Sequence, residues 1–157
     1  MRNKFYTLIL LMIFISCNNN ISFEGTKNFN LDVALEEANN QDKSVLLYFS
    51  SYACVNCRKI EDLILNDVAI KEMIINNYIL TTLVVDDRSM AEKIYHKNNR
   101  FNNKVAKKVG EINMNWQLEL AKTGSQPYFV ILSQEKTVVS KIGYTNNRNE
   151  LLEFFKR

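Results

Sequence analysis

Val45 to Ser50 is a short apolar run of strand formers. It leads within four residues into Cys54-Val55-Asn56-Cys57, after which Arg58 to Leu65 reads as a helix. A run of that length without polar alternation suits a buried central strand. Val68 to Ile75 continues as a second helix after a break at Asn66-Asp67, a pair able to cap it, and Tyr78 to Val85 follows as a second strand. Strand, helix and strand in that order imply a right-handed crossover and a parallel pair, so the chain is read as α/β. With 157 residues, 46% of them apolar, it can bury one full core but is too short for two ordinary domains.

The flanking segments fit one such domain. Asn30 is placed to cap a helix in which Leu31, Ala34, Leu35 and Ala38 recur at amphipathic spacing. Residues 86–109 are polar and basic with poor periodicity, and read as a long, partly helical connection. Ile112, Trp116 and Leu120 suggest another helix before Gly124. Tyr128 to Leu132 and Thr137 to Ile142, separated by Ser133 to Lys136, suit an antiparallel hairpin. Leu151, Leu152, Phe154 and Phe155 close the chain as a terminal helix. Four glycines and one proline leave no Gly- or Pro-rich linker, and the ordered part is expected to start near Ile21 or soon after.

The N-terminus reads as an export signal: Arg2 and Lys4 are a positive n-region, Phe5 to Ile15 an apolar h-region, and Ser16 a small residue before Cys17. Eleven residues fall short of the roughly 20 that a membrane-spanning helix needs, so cleavage is the reading preferred to a permanent span. Phe14-Ile15-Ser16-Cys17 resembles the lipobox of bacterial lipoproteins, with Phe14 where leucine is more usual, which implies lipidation of Cys17. Asn18 to Asn20 look like a polar tether. At about 0.8 kcal/mol per buried methylene, several acyl chains would hold the domain at a membrane surface. The expected division is residues 1–16 as signal peptide, 17–28 as lipidated cysteine and tether, and 29–157 as the domain, exported and periplasm-facing. Basic residues number 20 and acidic 17, and removal of Arg2 and Lys4 leaves 18 against 17. Nothing in that balance calls for nucleic acid, whose binders usually carry a concentrated basic footprint.

If Cys17 carries lipid, Cys54 and Cys57 can pair only with each other within the chain. Cys54 should lie at or just before a helix N-terminus, where unpaired N–H groups and the helix dipole lower a thiol pKa from about 8.5 to between roughly 3.5 and 7.5. A thiolate is the attacking species in disulfide exchange. The three-residue spacing lets Cys57 reach Cys54 from the first helical turn and resolve a mixed disulfide. As a purely structural staple so small a ring would contribute only about 2 kcal/mol. Structural zinc needs four ligands, and beyond the pair the chain offers only His96 and Cys17; no metal site is expected. A copper carrier would use both thiolates and His96, because soft sulfur favours Cu(I), although His96 stands in a polar stretch and reads as solvated.

Val45-Leu46-Leu47-Tyr48-Phe49-Ser50, Cys54-Val55-Asn56-Cys57-Arg58-Lys59 and Gln126-Pro127-Tyr128-Phe129-Val130 together resemble a thioredoxin-family domain. They are most similar to the C-terminal thioredoxin-like domain of DsbD-type thiol-disulfide interchange proteins, over roughly residues 29–157. The resemblance implies a central mixed β-sheet flanked by helices and makes Pro127 the family's cis-proline beside the cysteines, leaving the Gln126 backbone free for a substrate strand. It implies for Glu61, one turn after Cys57, an acid that tunes the thiols or relays a proton, with a solvated helix carboxylate as the plain alternative. Tyr48 departs from the pattern, since many thioredoxins carry a buried acid there. Tyr52 is a possible neighbour of the site, or simply a structural aromatic. The function implied is an extracytoplasmic oxidoreductase with no cofactor beyond the redox-active Cys54/Cys57 pair, reducing disulfides in exported proteins and recharged by a membrane electron donor. A thioredoxin-like binding module or copper carrier without exchange is the alternative.

Overall fold

The computed structural model describes residues 20–98 and 104–157. The signal segment 1–16, Cys17 and the first two tether asparagines lie outside the described residues. In chain order the elements are α1 Leu31–Asn40, β1 Ser44–Ser50, α2 Val55–Asn66, α3 Val68–Asn77, β2 Tyr78–Val84, β3 Lys97–Asn98, β4 Val105–Ala106, α4 Val109–Leu120, β5 Tyr128–Leu132, β6 Val138–Ile142 and α5 Arg148–Phe155. The main sheet runs β2-β1-β5-β6. β1 and β2 are parallel, from Ser44 opposite Tyr78 to Ser50 opposite Val84, whereas β5 runs antiparallel to β1 and β6 antiparallel to β5. The expected mixed sheet and hairpin are both present.

β1 is buried on both faces, and its alternating side chains divide the core. Leu46 and Tyr48 pack with Ile60, Ile64, Ile70, Ile74, Phe154 and Phe155 from α2, α3 and α5. Val45, Leu47 and Phe49 pack with Leu31, Ala34, Leu35 and Ala121 on the opposite face. Side chains from Val45 to Phe49 are all 0% exposed, and complete burial of an aliphatic or aromatic side chain contributes about 1.5–3 kcal/mol each. Capping sets the helix ends as the sequence suggests. Asn30 Oδ1 accepts the Asp32 N–H at 2.9 Å, and Asp67 both ends α2 and caps α3, accepting from the Ile70 N–H at 3.2 Å. Asp67 also pairs with Arg148 on α5, tying the α2–α3 corner to the terminal helix.

The ordered part begins close to Ile21, as expected, although the division at residue 29 had set residues 21–26 in the tether: Ile21 and Phe23 pack against the core, the Phe23 ring meets the Tyr48 ring edge-on at 5.3 Å, and the Thr26 N–H donates to Thr82 O at 2.8 Å. Among the described residues the connection after β2 is partly helical, with a 3-10 turn at Lys93–Tyr95, but also holds the short antiparallel pair β3–β4, which its poor periodicity did not suggest. In α4 the buried set is Val109, Gly110 and Ile112 together with Asn113, Asn115 and Gln117, so its inward surface carries amides that the apolar stripe did not reveal.

α4 docks where β2 ends. A Cβ built on Gly110 would stand 2.5 Å from Val85 O and 2.7 Å from Asp87 N, and Asn113 Nδ2 donates to Val84 O at 2.9 Å. The helix start can therefore approach this backbone only as glycine. Gly110→Ala should lower the unfolding free energy in urea by about 1–3 kcal/mol, the cost of overpacking a site bounded by backbone. Gly124→Ala, whose added carbon finds only ordinary contacts from 3.7 Å, should stay within about 0.5 kcal/mol of the parent chain.

Candidate active site

β1 ends at Ser50 and α2 begins at Val55, and the turn between them presents the first cysteine. Cys54 is the N-cap of α2, and its Sγ accepts the Cys57 N–H at 3.0 Å. That contact is an N-cap bond made with sulfur, the acceptor type that hydroxyl and carboxylate caps usually provide. Cys54 and Cys57 are joined by a disulfide with Cα atoms 5.2 Å apart. Cys54 is half-buried while Cys57 is fully buried, so of the two only Cys54 offers its sulfur to an incoming group.

Asp86, just beyond β2, holds this turn in place. Its carboxylate accepts the Ser51 hydroxyl at 2.8 Å, the Tyr52 N–H at 2.9 Å and the Ala53 N–H at 3.4 Å. Burial opposes its charge, but these hydrogen bonds prevail and keep its carboxyl below the ordinary range. Sequence reasoning missed Asp86, because a lone acid after a strand carries no signal until its distant partners are known. Tyr52 is no core aromatic; it is 67% exposed and its hydroxyl lies 3.4 Å from Asp87 Oδ2.

Beneath the cysteines lies a buried polar group. Glu61 is 6% exposed, not a solvated helix carboxylate. Its Oε1 accepts the Tyr48 hydroxyl at 2.8 Å and the Ser50 hydroxyl at 3.4 Å, and its Oε2 lies 2.7 Å from Arg58 Nη1. Arg58 Nη2 also donates to Ser50 Oγ at 3.0 Å, while Tyr48 Oη stands 3.4 Å from the Cys57 carbonyl. Burial raises the Glu61 pKa above the ordinary carboxylate value despite the opposing Tyr48 hydrogen bond and Arg58 charge. Burial likewise pushes the Tyr48 phenol up, so it remains a hydrogen-bond donor. The acid missing at position 48 on the strand is thus present in space, supplied from the neighbouring helix.

Gln126-Pro127 is a cis peptide, as the resemblance implied, although X-Pro bonds in folded chains are cis in only about 5–6% of cases. Since Phe49 stands opposite Tyr128, the next step of that register sets buried Pro127 opposite Ser50, at the sheet end where the cysteine turn begins. His96 is held elsewhere, with its Nε2 3.2 Å from Ala91 O. Among the described residues no three His, Cys, Asp or Glu side chains gather as metal ligands, so the ligand set of a copper carrier built on both cysteines and His96 is not assembled.

Residues 31–157 match the thioredoxin-like domain family. Solved structures with the same fold include the DsbH oxidoreductase, at 14% identity over 85% of this chain and 86% of that one with a TM-score of 0.59. A thioredoxin from Thermus thermophilus matches at 16% identity over 85% and 86%, with a TM-score of 0.56. The neighbours also include the reduced C-terminal domain of DsbD from Neisseria meningitidis, at 13% identity over 80% and 87%, with a TM-score of 0.49. No curated protein sequence matches the chain. The strand-to-helix cysteine pair, the cis-proline loop and the family match converge: the chain belongs to the thioredoxin-like domain family and carries the Cys54–Cys57 pair of a thiol-disulfide oxidoreductase.

Proposed function

We propose that the protein works outside the cytoplasm, reducing disulfides in exported proteins with Cys54 as the attacking and Cys57 as the resolving thiol. The observation that carries this reading is the contrast within the pair: Cys54 is half-exposed and capped by a helix N–H, whereas Cys57 is 0% exposed. In the reduced protein the Cys54 thiolate attacks a substrate disulfide, forming a mixed disulfide and releasing one substrate thiolate, which takes up a proton. Cys57 then loses its proton and attacks the Cys54 sulfur. The second substrate thiol leaves and the Cys54–Cys57 disulfide forms, two electrons having passed from the protein to the substrate.

Glu61 is the group proposed to take the Cys57 proton. It lies one helical turn from Cys57, is buried, and has a raised pKa, which brings a carboxylate closer to the proton affinity of a thiol. Arg58 and Tyr48 hold it in place. A dithiol donor in the membrane recharges the pair, which needs no further cofactor. Support for location comes from the sequence, where the lipobox-like string at Cys17 argues for a lipid anchor on the periplasmic side. Among the described residues no helix is long and apolar enough to cross a membrane.

Two measurements test this. Cys57→Ser should accumulate mixed disulfides through Cys54, and the wild-type pair should equilibrate with glutathione at a potential near the thioredoxin value of about −270 mV. A potential at the oxidising end, about −120 mV, would reverse the direction, and no trapped partner would remove the exchange role. The second concerns pH. Because the folded Glu61 pKa is raised, the folded state holds this proton more tightly than the unfolded chain. Its contribution to stability is complete below the unfolded carboxyl pKa and is lost as pH rises through the folded value. Urea unfolding of the oxidised protein from about pH 4 to 8 should therefore show stability falling relative to Glu61→Gln as pH rises; parallel curves would contradict the assignment.

A further inference from the structure

We propose that Gln117, in the buried face of α4, is a positioning residue that sets where a substrate strand pairs beside Cys54. The inference rests on the exchange reading above and deepens it. Gln117 is 0% exposed, and an amide is costly to bury unless its donor and acceptor are both used. Here both are. Its Nε2 donates to Ser125 O at 2.7 Å, and its Oε1 accepts from Gln126 Nε2 at 2.9 Å. A carbonyl oxygen can only accept, so the Ser125 contact settles which end of the Gln117 amide faces which partner. Gln126 Nε2 makes a further hydrogen bond to Gly124 O at 2.7 Å. Residues 124–126 are thereby folded around one buried point, immediately before the cis peptide.

The side chain of Gln126 is engaged, but among the described residues its main-chain N–H and C=O make no hydrogen bond in turns, loops or caps. Those free groups are what an extended polypeptide would use, as strand addition pairs main chain with main chain. The helix that bears Gln117 is itself fixed to the end of β2 through Gly110 and Asn113. The same strand end leads to Asp86, which holds the Cys54 turn. α4 thus acts as a common strut for the two parts of the site, the sulfur that attacks and the backbone that aligns the substrate. Gln117 is its contact with the second part.

The test is steady-state reduction of insulin and of oxidised glutathione by the full chain. Insulin presents its disulfides on polypeptide strands, whereas each arm of oxidised glutathione is a tripeptide that offers far less main chain for pairing. Gln117→Leu, which keeps the side-chain volume but leaves the loop untied, should raise KM for insulin about tenfold, the equivalent of one hydrogen bond. It should leave kcat for insulin within about twofold and the Cys54/Cys57 equilibrium with glutathione unmoved. Gln126→Ala, which spares the buried Gln117–Ser125 bond, should raise the insulin KM in the same direction and decides the question if Gln117→Leu does not fold. An unchanged insulin KM would overturn the inference. So would a loss shared equally by insulin and glutathione with a displaced redox equilibrium, since a general structural role produces that pattern. A wild-type chain that reduces neither disulfide would instead overturn the oxidoreductase reading, and this inference with it.

Discussion

The site depends on α2 starting at the residue where β1 and its turn deliver a sulfur. An N-cap must accept a hydrogen bond from an otherwise unpaired helix N–H, and Cys54 meets that need with Sγ toward the Cys57 N–H. The contact strengthens when the sulfur is an anion, because a charged acceptor makes the stronger hydrogen bond and the helix dipole favours negative charge at its N-terminus. One local interaction therefore both begins the helix and, in the role proposed for Cys54, favours the attacking thiolate. Its geometry is transmitted from the core, since β1 is enclosed on both faces, and from Asp86, which fixes the intervening turn.

Replacing a strand acid with Tyr48 reorganises the polar interior without emptying it. The phenol is a donor only while protonated, and burial keeps it so. It is therefore suited to hold a carboxylate arriving from α2. Arg58 closes the other side from the exposed surface, giving Glu61 a partner for each oxygen. A buried charge with one partner removed is strongly destabilising, so Tyr48, Ser50, Arg58 and Glu61 are best regarded as one unit whose members change together.

Most of the fold was legible where a continuous apolar run or a 3.6-residue apolar stripe is bounded by capping or turn residues. The α1 stripe from Leu31 to Ala38, its Asn30 cap, the β1 run, the Asp67 break and the β5–β6 hairpin all stand close to where the sequence sets them. The cysteine pair was legible as well, because its chemistry follows from a local hand-over of strand to helix. Polar groups whose partners lie far along the chain were not. Asp86 meets Tyr52 across a separation of 34 residues, Glu61 meets Tyr48 at a separation of 13, and the partners of Gln117, Ser125 and Gln126, lie beyond the end of its helix. The start of the ordered part near Ile21 was legible, but not the contacts of Ile21 and Phe23 with the core, because two apolar residues in a polar segment form no period.

If the fold makes Cys54, and not Cys57, the activated and accessible thiol, the pH dependence of alkylation in the reduced protein will reveal it. Iodoacetamide should label Cys54 alone, with a rate that titrates well below the free-cysteine value of about 8.5. Titration at or above that value, or first labelling at Cys57, would mean that the helix N-terminus does not activate Cys54.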